Sequence, residues 1–384
     1  MFSYWERQSF LNYDHIVIGA GIVGLHAAIE LKECYPTQSV LVLERSLFPF
    51  GASTRNAGFA CMGSFTELLD DLKNNTQEEV CCLFQRRKEG LALLRQRLGD
   101  EHIGYRENGS YELIMEKEMT MLEQMEHLNS ILLNITGKPA FRRADEKIHA
   151  FGFSQGRVRA MIENTGEGEL HTGKMMRSLT DYALTRGVEL KTGAQVTYFE
   201  EEARTVSIFL SDPLRKEKIK LQCSRLYICT NAFSRQLLPE ADLQPGRGQV
   251  LVTEPVAGLP FKGIFHFDEG YYYFREIDGR VLFGGGRKLD IAGETTVEIS
   301  LHEAIQADLE EKLRNIILPG KDISIAQRWS GIMAFGPTKR PVIKKFSPRV
   351  SGAFRMGGMG VALGALVARE LVNLEQEMTG VLKG

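Results

Sequence analysis

The apolar and polar positions of the chain change period several times, and the changes mark its elements. "HIVI" at 15–18 is a short apolar run of the kind carried by a strand buried on both faces. Apolar residues then recur at helical spacing over 22–35, until Pro36 stops the pattern. "SVLVLE" at 39–44 reads as a second strand that ends on Glu44. Far downstream, period-two alternation puts Tyr271, Tyr273 and Arg275 on one strand face, with Tyr272 and Phe274 on the other. Asp278-Gly279 supplies a turn, and 281–284 the return strand of a hairpin. "RLYICTNAFSRQLLP" at 225–239 begins as a buried strand, and "FRMGGMGVALGALVARELV" at 354–372 as a glycine-rich loop entering an apolar helix. From about 65 to 150 the periodicity is helical and heavily charged, which predicts solvated helices with Arg86, Arg87 and Lys88 on an outer face.

The junction of the first strand and helix carries chemistry. Gly19, Gly21 and Gly24 stand at G-x-G-x-x-G spacing. The first allows the tight turn, the second lets backbone amides approach a pyrophosphate, and the third lets helix and strand pack closely. The helix offers its positive dipole end to phosphate. Glu44 lies about twenty residues past Gly24, where an acid takes ribose hydroxyls. A dinucleotide with an unphosphorylated ribose is implied, either NAD or FAD.

Composition narrows the picture. A chain of 384 residues predicts two domains. A net charge of −2 argues against a nucleic-acid partner. The longest apolar run, at 360–368, is far short of the ~20 residues a bilayer requires. No apolar signal segment opens the chain, and the six cysteines form neither C-x-x-C nor a zinc spacing. The expectation is a cytoplasmic protein with reduced thiols, no membrane span and no metal site.

The segment 51–64, "GASTRNAGFACMGS", tips the cofactor toward flavin. A compact nicotinamide unit gives no reason for a long small-residue loop here. An isoalloxazine does, since it needs close backbone passage at Ala57 and Gly58 and donors from Ser53, Thr54, Arg55 and Asn56. Thr230 and Asn231 end a strand where a sheet edge meets a ligand. The helix after Gly357, Gly358 and Gly360 could meet the partial negative charge at the N1–O2 edge of a reduced flavin.

With "VIGAGIVG" and Glu44, "ASTRNAG", "GELHTGKMMRSLTDYALTRGVELKTGAQV", "CTNAFS" and "GGMGVALG", the chain resembles the D-amino-acid oxidase/glycine oxidase-type FAD-dependent oxidoreductases. The resemblance covers nearly the whole chain and is weakest over 65–150. It implies an α/β fold: a Rossmann-like FAD-binding domain from 1–85, 150–235 and 336–384, and a mainly antiparallel β-sheet substrate domain with helices from 86–149 and 236–335. Motifs and resemblance together give the cofactor positions as Gly19, Gly21, Ile22, Gly24, Glu44, Arg45, Ser53–Gly58, Val196, Thr230, Asn231, Gly331, Gly358, Met359, Gly360 and Val361. Within the loop these are Ser53, Thr54, Arg55, Asn56, Ala57 and Gly58, and Val196 brings main chain to the adenine. The loop has no histidine and Cys61 lies at its far end, so non-covalent FAD is expected.

For substrate, the resemblance points to Tyr271, Tyr273 and Arg287, with Met333 and Phe335 beside them. Members acting on free amino acids commonly show Trp-x-Gly-x-Arg, whose arginine clamps a carboxylate. Here Trp329 and Gly331 are followed by Met333. Either Arg287 or Arg340 substitutes, or the substrate is an amine with no carboxylate beside the reacting nitrogen, or Met333 simply packs in the core. The second is the favoured expectation. The implied reaction is oxidation of a C–N bond of a small amine or amino-acid derivative by hydride transfer to flavin N5, the imine then hydrolysing, with no acid–base residue required. Oxygen, a quinone or a redox protein takes the electrons. Rival readings are an FAD-dependent 2-hydroxy-acid (C–O) dehydrogenase, an NAD-dependent dehydrogenase, and a non-catalytic flavin subunit.

Overall fold

The structure, a computed structural model, describes residues 2–211 and 218–379. Its first strand, Asn12–Ile18, lies between Val40–Leu43 and Ile219–Ile228, parallel to both. Ile16–Ile18 and Val40–Leu43 are buried on both faces, which accounts for their unbroken apolar runs. The eight-stranded sheet continues through Val350–Phe354 and Val342–Ser347 on one side and Glu189–Lys191 on the other. Val196–Glu201 and Val206–Leu210 extend it from Ile219–Ile228.

Helix Ile22–Cys34 is buried from Ile22 to Leu31, so it has almost no polar face. It is covered by Gly360–Thr379 and Thr172–Thr185. Its two buried polar side chains are met from another helix: Arg97 of Gln77–Leu98 contacts His26 Nδ1 at 2.9 Å and donates to Glu30 at 2.6 Å, while His26 Nε2 is buried without a partner.

The second eight-stranded sheet runs Ile325–Phe335, Gln244–Thr253, Arg280–Gly285, Tyr272–Ile277, Ile264–Phe267, Ser110–Met115, Val158–Asn164, Phe141–Arg143. Every pairing is antiparallel except Ile264–Phe267 with Ser110–Met115. The hairpin turn falls at Asp278 (φ 50°) and Gly279 (φ 74°), two left-handed residues that match the twist of the flanking strands. Tyr272 and Phe274 enter an aromatic core in which Phe265 and Phe274 stack 4.7 Å apart. Tyr273 takes the opposite face, as the period-two reading requires.

Two expectations are corrected. Val158–Asn164, placed with the cofactor segments, pairs within the second sheet. The charged helix Gln77–Leu98 is not simply a solvated helix, and Arg87 is not on its outer face. Leu83, Phe84, Leu91, Leu94 and Leu98 are buried, the helix packs against Gly360–Thr379, and Arg87 is only 1% exposed. The Arg87 guanidinium donates to the Met62 carbonyl at 2.6 Å, a tertiary bond that charge pattern does not reveal.

Candidate functional site

A cavity of about 620 Å³ is lined by residues of both sheets, a size in the range of small-molecule and cofactor sites. Every position expected from sequence lines it except Gly24, Thr54 and Gly58. Those three shape its wall from behind. A Cβ at Gly24 would lie 1.9 Å from the Gly19 carbonyl oxygen, so the helix could not seat on the strand. Gly58 has φ +76°, and a Cβ there would lie 2.2 Å from the Leu170 oxygen. The Thr54 hydroxyl donates to Pro49 O at 2.6 Å, inside its own loop.

The glycine turn is organised for a ligand. Glu44 is buried, and its carboxylate accepts from the amides of Ala20 and Ser46, both at 3.1 Å. Gly21 caps helix Ile22–Cys34 with no side chain of its own, and Ser53 Oγ accepts from the Ile22 amide at 3.0 Å. That contact brings the loop onto the helix N-terminus and leaves the Ser53 hydroxyl hydrogen available. A second helix, Gly360–Thr379, opens on the same cavity through Gly358, Met359, Gly360 and Val361. Its first-turn amides have no intrahelical acceptor.

Arg55 and Asn56 act differently from the donors expected of them. Asn56 Nδ2 donates to the carbonyls of Ala52 (3.3 Å) and Ser53 (2.9 Å). Its Oδ1 accepts from the Gly58 amide at 2.9 Å and the Thr172 hydroxyl at 2.8 Å. The carboxamide is therefore a brace inside the loop. Arg55 donates to Ser330 O at 2.6 Å, with its guanidinium 3.8 Å over the Phe50 ring, so it ties the loop to the second sheet. Trp329 returns the tie through Nε1 to Arg55 O at 3.0 Å.

At the other end, Tyr271 stands partly exposed and Tyr273 is enclosed; burial pushes the Tyr273 phenol up to about 12. Phe59 meets Tyr273 and His266 edge-on, with centroids at 5.6 and 5.1 Å. Arg287 lies 4.4 Å over the Phe335 ring. Arg340, the other arginine considered from sequence, pairs with Glu79 at 2.9 Å and does not line the cavity.

Sequence reasoning missed several wall residues. His266 sits opposite Tyr273 across the strand pair. Burial draws its imidazole down to about 4, against the pull of Glu67. Its signal was one polar residue inside the apolar strand "IFHF". Burial would raise the Glu67 carboxyl, but Lys339 at 2.8 Å and Arg87 at 3.7 Å outweigh it, and it falls to about 2. These partners come from three separate segments and leave no local spacing. Arg275, read from sequence only as a strand-face residue, donates to the carbonyls of Leu170 (2.8 Å) and Gly58 (3.2 Å) and holds the loop from below.

Among the described residues no helix is long and apolar enough to cross a membrane. In fold, the chain is similar to the L-proline dehydrogenase of P. horikoshii, with a TM-score of 0.76, 16% identity, and coverage of 96% of this chain and 94% of that one. The glycine oxidase of Geobacillus kaustophilus superposes with a TM-score of 0.76 at 18% identity, over 96% and 95% of the two chains. In sequence, the chain is 24% identical to the gamma-glutamylputrescine oxidoreductase of Escherichia coli, over 94% of this chain and 83% of that protein. The family model for FAD dependent oxidoreductases matches residues 14–374. With glycine turn, acid, braced loop and second helix start on one cavity, the choice between NAD and FAD falls to FAD, and the chain belongs to the DAO family of FAD-dependent oxidoreductases.

Proposed function

We propose that this oxidoreductase acts on the C–N bond of a small amine or amino-acid derivative. The observation that carries the reading is the wall beyond the cofactor cradle: Tyr271, Tyr273, Met333 and Phe335 on one cavity with the glycine turn. Three relatives named above bear names of nitrogen compounds: proline, glycine and gamma-glutamylputrescine.

The first sheet serves as the FAD-binding unit and the second as the substrate unit. Glu44 would take the ribose hydroxyls, and the amides opening helix Ile22–Cys34 the pyrophosphate. The first turn of Gly360–Thr379 would face the polar edge of the flavin ring. FAD when bound supplies a hydride acceptor, the flavin N5. The chain's own residues do the rest. An apolar, aromatic wall disfavours a bare ammonium and so favours the neutral amine, the form able to give up hydride. The Tyr273 phenol, held protonated by its burial, offers a hydrogen bond without introducing a charge. Burial, Glu167 and Glu67 all push the Cys61 thiol up, so it stays a thiol and a poor attachment point; this supports non-covalent FAD.

The test is the visible spectrum of the purified protein under anaerobic addition of an amine panel and a 2-hydroxy-acid panel. A yellow protein bleached by amines is expected. Bleaching by hydroxy acids alone would replace this reading with C–O oxidation. A second prediction concerns the loop brace. Asn56→Leu deletes three hydrogen bonds within a loop that lies outside both sheets and a fourth that ties it to Thr172. Purified Asn56→Leu is expected to carry substantially less FAD than wild type while its circular dichroism is unchanged. Equal FAD content would remove Asn56 from cofactor retention.

A further inference from the structure

Three titratable side chains stand side by side on one face of the second sheet. His266 pairs with Tyr273 on one neighbouring strand and with Glu112 on the other, and residues opposite one another across strands share a face. Gly284 comes next in the row, and a Cβ there would lie 2.7 Å from the Tyr273 ring. Tyr273 therefore leans over Gly284, away from His266, and the imidazole faces the cavity. His266 is 9% exposed and makes no hydrogen bond or ion pair among the described residues. It also borders a void of about 10 Å³ shared with Ser64, Ser110, Glu112 and Asn164. That is about the room one water needs, with polar partners to hold it. His266 is the one described residue that lines both the cavity and the void. Beyond it, the Glu112 carboxylate is fixed by the Ser64 hydroxyl and the Thr66 amide, each at 3.0 Å, and by the Thr66 hydroxyl.

We propose that His266 conducts the nitrogen-bound proton of the substrate out of the cavity to Glu112. This rests on the C–N reading and deepens it, since the ammonium must lose a proton before its carbon can give up hydride. The substrate N–H bond breaks and leaves its electron pair on nitrogen. An N–H bond forms at one imidazole nitrogen, the N–H on the other nitrogen breaks, and the proton reaches a Glu112 oxygen through water in the void. Nothing is oxidised or reduced in these steps. The two ring nitrogens let His266 pass a proton without resting as a cation, a form that its burial disfavours. Glu112, raised to about 7, is an ionised acceptor above that pH. The other acids around the row are poorer acceptors. Lys339 and Arg87 hold Glu67 down to about 2, and Asp71 shares Lys339 at 2.7 Å. Asp70, paired with Lys73 at 3.1 Å, and Glu269 line the cavity but not the void. Glu118, which helps to raise Glu112, lines neither.

The experiment uses full-length holoenzyme as wild type, His266→Gln, His266→Ala and Glu112→Gln. Anaerobic flavin reduction by saturating N-methylglycine, pyrrolidine, putrescine and glycolate is followed between about pH 5 and 9. In wild type the rate with an amine should rise about 10-fold or more, with a midpoint near the Glu112 value of about 7. In Glu112→Gln and His266→Gln that rise should vanish, leaving rates roughly 10- to 100-fold below wild type at high pH. FAD content and circular dichroism should hold in both. Added imidazole should restore part of the rate to His266→Ala and none to Glu112→Gln. A midpoint near 7 that persists in Glu112→Gln, a His266→Gln as fast as wild type, or no imidazole rescue would overturn the relay and leave the C–N reading standing. Loss of FAD from both glutamine variants would overturn it too and give the row to cofactor retention. If glycolate alone reduces the flavin, the C–N reading falls, and the same pH profile with glycolate decides the relay for a hydroxyl proton. If no probe reduces the flavin, both fall.

Discussion

Arg275→Met is expected to lower the unfolding free energy by about 3–5 kcal/mol, the range for stripping the partner from a buried charge, and to yield protein largely without FAD. Arg275 is 6% exposed and Glu169 5%. One Glu169 oxygen accepts from Asn108 at 2.8 Å, while the other has only the Arg275 cation at 3.5 Å. Methionine fills the volume and leaves that oxygen with neither water nor charge. The same guanidinium gathers the carbonyls of Ala57, Gly58 and Leu170 at 3.4, 3.2 and 2.8 Å. It thus joins the substrate sheet to the back of the loop 51–64. Stability and cofactor retention should therefore fall together, as read by denaturant midpoint and by the flavin absorbance of the purified protein. Arg275→Lys keeps a charge near Glu169 but lacks the planar fork, so it should recover stability better than FAD content. A destabilised Arg275→Met that retains a full complement of FAD would show the loop to be held by its own bonds alone.

Arg275 also marks how far a single sequence can be read. The strand–turn–helix at 15–35, Glu44 and the hairpin at 271–284 were legible because each is a local pattern: a period, a spacing or a turn pair. The burial of this helix from Ile22 to Leu31 follows from the same apolar run. Arg275 was placed on the correct face, yet its partners, Gly58, Leu170 and Glu169, lie more than a hundred residues away. Asn56 shows the opposite limit. Its loop was identified from small residues, but the direction of its amide depends on Thr172, so a ligand-facing donor and an internal brace look alike in sequence. Helix Gln77–Leu98 was misread because its charges are frequent. Arg87 and Arg97 are directed inward to a carbonyl and to buried Glu30, and charge count carries no direction. The wall formed by His266, Glu67 and Lys339 had no spacing to find, since it is assembled only when the strand Ile264–Phe267, the helix Phe65–Asn74 and the segment at 336–341 come together.

Beneath that wall lie two carboxyls that should make the protein less stable as pH rises from 5 to 8. Glu112 accepts from the Ser64 hydroxyl and the Thr66 amide, each at 3.0 Å, and from the Thr66 hydroxyl. Glu167 accepts from the amides of Met62 and Gly63 and from the Ser110 hydroxyl at 2.7 Å. Burial outweighs those bonds and raises both carboxyls to about 7. A raised acid favours the folded state while it holds its proton. Its contribution is full below the ordinary carboxyl pKa of 4.5 and is lost as pH climbs to about 7. Each carboxyl then accounts for a loss on the order of 3 kcal/mol. His266 works the other way. Its pKa is depressed from 6.5 to about 4, so its contribution is present above 6.5 and lost as pH falls toward 4. His26, lowered well below 6.5 by burial and then by Arg97 and Arg369, acts in the same sense, so the two histidines offset the two carboxyls below 6.5 and the wild-type decline falls mainly between 6.5 and 7. Glu67, lowered from 4.5 to about 2, acts only below this window. Unfolding of Glu112→Gln/Glu167→Gln at pH 5 and pH 8 should show the decline gone or reversed. The two carboxyls hold residues 62–66, the segment that leaves the cofactor loop, so the temperature at which FAD is released should follow the same curve. A wild-type curve flat over these pH values, or an unchanged slope in the double variant, would mean that the bonds to Met62, Ser64 and Thr66 keep both carboxylates ionised despite their burial.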